Sequence, residues 1–403
     1  MRSTNRWVVL VFCWLIWGLI FGDRMILIFT GPMLLEEFKI SMTQFGVAVS
    51  CLTVTWAVMA AIAGFISDRV GRRKVILPAM ILFSATTWLT GLVRSIPQLL
   101  LVRGLVGIGE GSYWGPGVSL INSAWPAKRR GFALGLHQTG APILGVFVTG
   151  ALTGWIAFKW GWRAPFVVYA IAGFILCVLI WAIVGEPKEK AVDESREKHV
   201  KGSWKMLFAS RAWILNLVIM VLVMIMYWCI SAFLPIYLTK TKGMNIAVAG
   251  GVAGITGLAG LFGQWFTGFS SDYIGRKAAL IVPLILILIA IPLVLTVHSL
   301  SAMIVALIIL GYGMYGPFPV CLAIVPAEAS PPELVGTAVG LTMFVSEAAG
   351  IVGPIVGGFF NDLWGVTASL WLAFFVTIAC ILCTVAMGET KYRAREAKAA
   401  AAG

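Results

Sequence analysis

The chain has 403 residues, 60% of them hydrophobic and only 12% charged, with a mean hydropathy of +0.95. A soluble domain carries about 25% charged residues, so this composition excludes a soluble enzyme. The roughly 240 hydrophobic residues, at about 20 per membrane-crossing helix, make about twelve spans and exclude a single anchor helix. The net charge of +13 would suit nucleic acid only if it were gathered on one soluble face, so its placement decides.

Hydropathy places the spans, in chain order, at 7–30, 44–66, 75–93, 98–121, 131–157, 165–185, 212–238, 247–270, 277–296, 301–325, 336–361 and 367–387. With both termini on one side, that side collects most of the 30 Lys and Arg. They form clusters at Arg69–Lys74, Lys128–Arg130, 188–211, Arg276–Lys277 and 391–398. Only Lys39, Arg94, Lys159, Arg163, Lys240 and Lys242 fall on the other side. Positive loops stay cytoplasmic, so both termini are expected in the cytoplasm of a multi-pass inner (plasma) membrane protein. The excess charge is topology information, and no nucleic-acid partner is implied.

The first span continues through Gly22-Asp23-Arg24 with no small-residue cleavage site, so it does not read as a cleavable signal. The 7 Cys all lie inside spans. Cys380 and Cys383 have CxxC spacing but no second ligand pair, so no metal or redox site is expected. No phosphate loop of the Walker type and no Ser/His/Asp set appears, so neither an ATP-driven pump nor an enzyme is expected, and no cofactor. Residues 388–403 read as a disordered cytoplasmic tail.

The chain is internally duplicated. Gly64-Phe-Ile-Ser-Asp68-Arg69-Val-Gly71-Arg72-Arg73 after span 2 returns 204 residues later as Gly268-Phe-Ser-Ser-Asp272-Tyr-Ile-Gly275-Arg276-Lys277 after span 8. Gly107 and Gly109 return as Gly311 and Gly313. The expected organisation is therefore a six-helix bundle over 1–185, a charged cytoplasmic linker over 186–211 and a second bundle over 212–387. Two such halves rock about a site near the bilayer midplane.

The repeated loop resembles the signature of the major facilitator superfamily. Within it, Asp23-Arg24 in span 1 and Arg103-x6-Glu110 in span 4 resemble the anion:cation symporter family. Trp125-Pro-Ala-Lys-Arg-Arg130-Gly131 and Gly161-Trp162-Arg163 resemble its patterns around span 5. Spinster-like lysolipid exporters share the charges of spans 1 and 4. The resemblance covers the whole chain and implies an all-α fold of twelve transmembrane helices in two pseudo-symmetric bundles.

The loop also has a physical reading. Asp68 can pair with Arg72 or accept from helix N-terminal amides, while Gly64 and Gly71 permit close approach and a tight turn. Gly64, Asp68, Arg69, Gly71 and Arg72, with the second copy Asp272, Gly275 and Arg276, are thus expected to act in gating. A plain anchor of positive charge would explain the arginines but not Asp68 or the glycines.

Ionisable residues inside the spans are Asp23, Arg24, Arg103, Glu110 and Glu347. Each charge at mid-membrane costs around 2.5–3.5 kcal/mol on insertion scales. Arg103 and Glu110 lie two turns apart on one helix face, about 10 Å along the axis. Asp23, Arg24, Arg103 and Glu110 sum to zero charge. Protonating one carboxyl releases an arginine, which can then hold a substrate carboxylate bidentately. Glu110 and Asp23 are therefore the proton-coupling candidates, and Arg24 and Arg103 the anion anchors. Glu347 stands as a second proton site, a cation ligand or an acid at a mouth. His137 and Gln138 on span 5 read equally as substrate contacts or as internally bonded groups. Tyr113 and Trp114 follow Glu110 on its stripe. Trp56, Tyr227 and Tyr315, among the deeper aromatics, line a cavity or simply pack; both readings stand. At the repeat offset Arg103 becomes Leu307 and Glu110 becomes Met314, so coupling is expected to concentrate in the first half.

The sequence therefore points to a monomeric secondary transporter that moves an organic anion, such as a sugar acid, together with protons. A lysolipid or amphiphile exporter and a transporter-like sensor are the alternatives.

Overall fold

A computed structural model describes residues 5–185, 205–331 and 334–390. Among these, twelve long helices follow the hydropathy: α1 Arg6–Phe29, α2 Met42–Val70, α3 Arg72–Thr90, α4 Ile96–Ala124, α5 Arg130–Trp160 and α6 Arg163–Ile183. After them come α7 Arg211–Lys240, α8 Ile246–Ile274, α9 Arg276–Thr296, α10 Leu300–Glu328, α11 Val335–Trp364 and α12 Ala368–Met387. Ten of them are long and apolar enough to cross a bilayer by length and composition. The two outside that set are α3, which opens on Arg72-Arg73-Lys74, and α4, which carries Arg103 and Glu110 among glycines. Of the segment read as a linker, Lys205–Ala209 is a short helix and 186–204 lie outside the described residues. The tail read as disordered lies outside them from 391 onward.

By packing, the chain divides into two compact units. One comprises Met1–Val192 with Ala232–Gly257, the other Asp193–Ser231 with Leu258–Gly403. The end of α7 and the start of α8 thus pack with the first unit. A Cβ built on Gly250 would sit 2.5 Å from the Gly150 carbonyl oxygen, so α5 and α8 touch backbone to backbone. Phe45 and Phe233 meet edge to face at 6.2 Å in the same unit.

Small residues set the packing of α2 on α4. A Cβ on Gly107 would lie 2.2 Å from the Leu52 carbonyl oxygen, and one on Gly111 2.5 Å from that of Trp56. Thr55 adds a hydrogen bond to the Gly104 carbonyl at 2.7 Å. With no hydrophobic drive between helices inside lipid, such close approach and van der Waals contact hold them together. The contact brings Trp56 of α2 beside Gly111 and Trp114 of α4. In α5, Ala141–Val148 winds as a π-helix against α1.

The short helix Gly31–Phe38, between α1 and α2, is strapped to the start of α6. Glu37 accepts from Arg163 Nη1 at 2.8 Å and Nη2 at 2.6 Å, and from Trp162 Nε1 at 2.6 Å. The Arg163 hydrogen bonds, more than that of Trp162, hold the Glu37 carboxyl below its usual range against slight desolvation. A carboxylate so depressed contributes stability that is present above its ordinary pKa and lost as pH falls through its folded value. Both side chains are partly exposed, at 38% and 41%, so the contribution is below about 1 kcal/mol. Glu37→Gln should therefore lower the thermal midpoint slightly at pH 7. The gap should close on titration down through the carboxylate range; a gap unchanged by acid would show that the ion pair is not its cause.

Candidate functional site

The four charged residues of α1 and α4 meet as two buried ion pairs. Asp23 and Arg24 are neighbours in sequence, so they leave α1 about 100° apart and cannot share one partner. Arg103 Nη1 lies 2.6 Å from Asp23 Oδ2, and Arg24 Nε lies 2.8 Å from Glu110 Oε2. The two-turn separation of Arg103 and Glu110 along α4 matches this arrangement.

The carboxylates of the two pairs differ in how fully they are satisfied, while each arginine keeps a buried nitrogen without a partner, Nε of Arg103 and Nη2 of Arg24. Asp23 uses both oxygens, since Thr87 of α3 donates to Oδ1 at 2.9 Å. In the other pair, Glu110 Oε1 and Arg24 Nη2 are buried with no hydrogen-bond partner. Arg24 is 5% exposed against 0–1% for the other three, and its guanidinium lies over the Trp56 ring at 5.0 Å. Chemically, Glu110 has a free lone pair to accept a proton and Arg24 a free N–H to meet an anion.

Around these pairs the sequence candidates are placed as follows. Tyr113 donates to the Cys13 carbonyl at 2.8 Å and meets His137 Nε2 at 3.0 Å, tying α4 to α1 and α5. Trp114 lies 4.8 Å from Trp17 and 6.4 Å from Trp56, ring to ring. Gln138 is half-buried and makes no hydrogen bond among the described residues. In the second unit, the Tyr227 and Tyr315 hydroxyls bond to each other at 2.8 Å, and Phe318 packs against both rings. Tyr227 stands 204 residues after Asp23, so a tyrosine pair occupies the region where the first half has its ion pairs. Glu347 is half-buried on α11 in that unit.

The two loop copies are not equivalent. Gly71 and Gly275 both adopt positive φ, 100° and 90°, and Gly64 faces Gly115 of α4, so the tight turn and close approach read from the glycines are present. The Asp68–Arg72 pair is not formed. Arg72 Nε donates to Ser119 at 3.0 Å, Arg69 lies over Phe65 at 4.0 Å, and Asp68 is exposed without a partner among the described residues. In the second copy Arg276 does bind Asp272, at 2.7 Å, because Glu328 at the end of α10 grips the same guanidinium at 2.8 Å. The corresponding position in the first half is Ala124, so nothing there holds Arg72 on the side of Asp68. Glu389 also accepts from the Arg276 and Lys277 amides at 2.9 and 3.1 Å, which caps α9.

Sequence reasoning missed Thr87, Trp17, Ser119, Glu328 and Glu389. Glu328 had a signal: it is an acid at the end of an apolar span, where most loops are basic. Thr87 had none, because a threonine in a span usually bonds its own helix backbone.

A duplicated all-helical bundle with paired charges buried on its first and fourth helices defines a class of polytopic membrane protein. The sequence pattern of the Major Facilitator Superfamily matches residues 13–354 and again 217–403, and the chain belongs to that superfamily of membrane transporters. It is 24% identical over 411 residues to a hexuronate transporter of Bacillus subtilis (strain 168), covering 94% of this chain and 95% of that protein. It is 23% identical over 409 residues to a probable galactarate/D-glucarate transporter of Escherichia coli (strain K12), covering 91% and 90%. In fold it is similar to a bacterial homologue of the human lysosomal transporter Spinster, crystallised in an inward-facing and occupied conformation. The TM-score is 0.83 at 20% identity, covering 98% of this chain and 99% of that one.

Proposed function

We propose that this transporter is a proton-coupled symporter of a small organic anion, a carboxylate of the size of a sugar acid. The observation that carries the reading is the half-satisfied carboxylate: Glu110 Oε1 and Arg24 Nη2 are buried without partners, whereas both oxygens of Asp23 are engaged. Protonation of Glu110 removes its charge and frees Arg24, whose planar fork suits a carboxylate. When the anion leaves, Glu110 must recover its charge to satisfy Arg24, which gives up the proton. Anion and proton thus bind together and depart together. The relatives named for hexuronate and for galactarate/D-glucarate support an acidic substrate.

In this reading the loop glycines Gly64 and Gly71 and the acid Asp68 serve the gate between alternating states. The protein acts as a monomer in the inner membrane with both termini cytoplasmic. The test is the reconstituted full chain in liposomes with an acidic exterior and a pH dye inside. A carboxylate taken up under this gradient should acidify the interior in proportion to uptake. Carboxylate uptake without acidification would end the symport reading. Movement of a zwitterionic lysolipid, with no carboxylate transported, would replace it with amphiphile export.

A further inference from the structure

We infer that the corner of the first unit where α1 begins and α4 passes into α5 is a binding site for an anionic glycerophospholipid. The site lies at the helix ends, apart from the buried ion pairs, so it stands independently of the symport reading.

Trp125, buried just after α4, gathers the charges of this corner. Its indole N–H donates to the Arg6 carbonyl at 3.1 Å, the Arg6 guanidinium lies 5.2 Å from the centre of its ring, and Arg130 Nε donates to its carbonyl at 3.3 Å. Lys128 and Arg129 stand between, exposed on a single 3₁₀ turn, Ala127–Arg129. Segments 5–12 and 121–138 contain no Asp or Glu. Among the described residues none of these four cations has an acidic partner. Like charges gathered without an acid repel one another, so an anion from outside the chain relieves them.

Other basic loops are differently placed, because their arginines are spent on the protein. Arg69 lies on Phe65, Arg72 donates to Ser119, Arg73 donates to the Trp181 carbonyl, and Arg276 is held by Asp272 and Glu328. A plain topology signal accounts for positive charge in every loop. It does not account for one cluster being left open while the others are engaged.

The apolar side of the corner identifies the anion as a lipid. Trp7 meets Trp125 edge to face at 4.8 Å and Phe132 at 6.5 Å, yet Trp7 is 46% and Phe132 60% exposed. Val11, one turn along α1 from Trp7, is exposed as well. A Cβ on Gly131, between Arg130 and Phe132, would meet nothing within 4 Å, so there is open space beside the cations. Trp7 and Phe132 are the second and third residues of α1 and α5, where a spanning helix passes through the headgroup layer. A soluble phosphate would leave these rings bare, whereas the chains of a phospholipid cover them and its phosphodiester meets the arginine forks. With no acid in these segments, nothing here pairs with the ammonium of a zwitterionic headgroup.

The experiment titrates the purified full chain in detergent with phosphatidylglycerol, phosphatidylcholine or glycerol 3-phosphate, and reads bound molecules by native mass spectrometry. Phosphatidylglycerol should bind about tenfold tighter than phosphatidylcholine, and glycerol 3-phosphate should not displace it. Lys128→Gln combined with Arg129→Gln removes two exposed charges whose side chains bond nothing among the described residues. That variant should lose at least about tenfold in phosphatidylglycerol affinity. Lys74→Gln with Lys277→Gln, an equal loss of charge elsewhere, should stay within about twofold. Equal binding of the two lipids would overturn the site, and so would equal losses in the two double variants. Displacement by glycerol 3-phosphate would make it a seat for a free anion and overturn the lipid. The comparison of the three probes on the unsubstituted chain decides the matter even if a variant does not fold.

Discussion

Glu110→Gln should abolish proton-driven accumulation of substrate while leaving exchange of internal for external substrate in place. Glutamine keeps the shape of the side chain and an oxygen to accept from Arg24 Nε, now 2.8 Å from Glu110 Oε2. It cannot cycle a proton. The variant is therefore held in the condition that the protonated carrier reaches, with Arg24 released toward the anion. Because the site is at 0% exposure, no water replaces the lost charge. The readout pairs two assays in the same liposomes: uptake against a gradient driven by external acid, and counterflow without a gradient. Accumulation that persists in the glutamine variant would remove Glu110 from the coupling role and pass it to Asp23.

The two arginines should separate into an anchor and a structural strut. Arg103 is 1% exposed, and among the described residues its partner Asp23 is otherwise hydrogen-bonded only by Thr87. Arg103→Ala leaves a buried carboxylate without its counter-charge, a change that costs about 3–5 kcal/mol and should sharply reduce folded protein. Combining it with Asp23→Asn should restore most of that loss, because the stranded charge is then gone. Arg24 faces the site with an unpaired N–H and rests on Trp56. Arg24→Lys keeps the charge but loses the fork and the stacking. Hydrogen bonds to charged groups are worth about 1.5–3 kcal/mol, so substrate affinity should fall about tenfold to a hundredfold with the fold intact. Thermal stability and binding, measured on all three variants and on the loop control Arg94→Lys, check the separation. Equal losses of affinity at Arg24 and Arg94 would count against an anion pocket, and a stable Arg103→Ala protein would count against the strut.

Much of the fold was legible because hydropathy is a local property. Each of the twelve long helices can be read from its own apolar run, and the 204-residue repeat of the Asp68 and Asp272 loops exposes the duplication without any knowledge of packing. The charged candidates were legible for a related reason: a residue as costly in lipid as Arg103 or Glu110 stands out in its own segment. Pairing was another matter. Adjacent Asp23 and Arg24, facing Arg103 and Glu110 two turns apart, allow more than one match. The choice depends on the rotation and height of α1 against α4. Glycine contacts distant in sequence set these, such as Gly18 against Leu144 and Gly107 against Leu52. The same dependence explains Arg72 and Arg276. Their local sequences predict one i,i+4 pair in each copy, yet the pair forms only where α10 ends in Glu328 rather than where α4 ends in Ala124. The sequence alone thus determined the helices, their duplication and which residues carry charge into the membrane. Only the tertiary structure decided which charges meet and which polar atoms remain unpaired, because those depend on the relative rotation of helices that no single segment encodes.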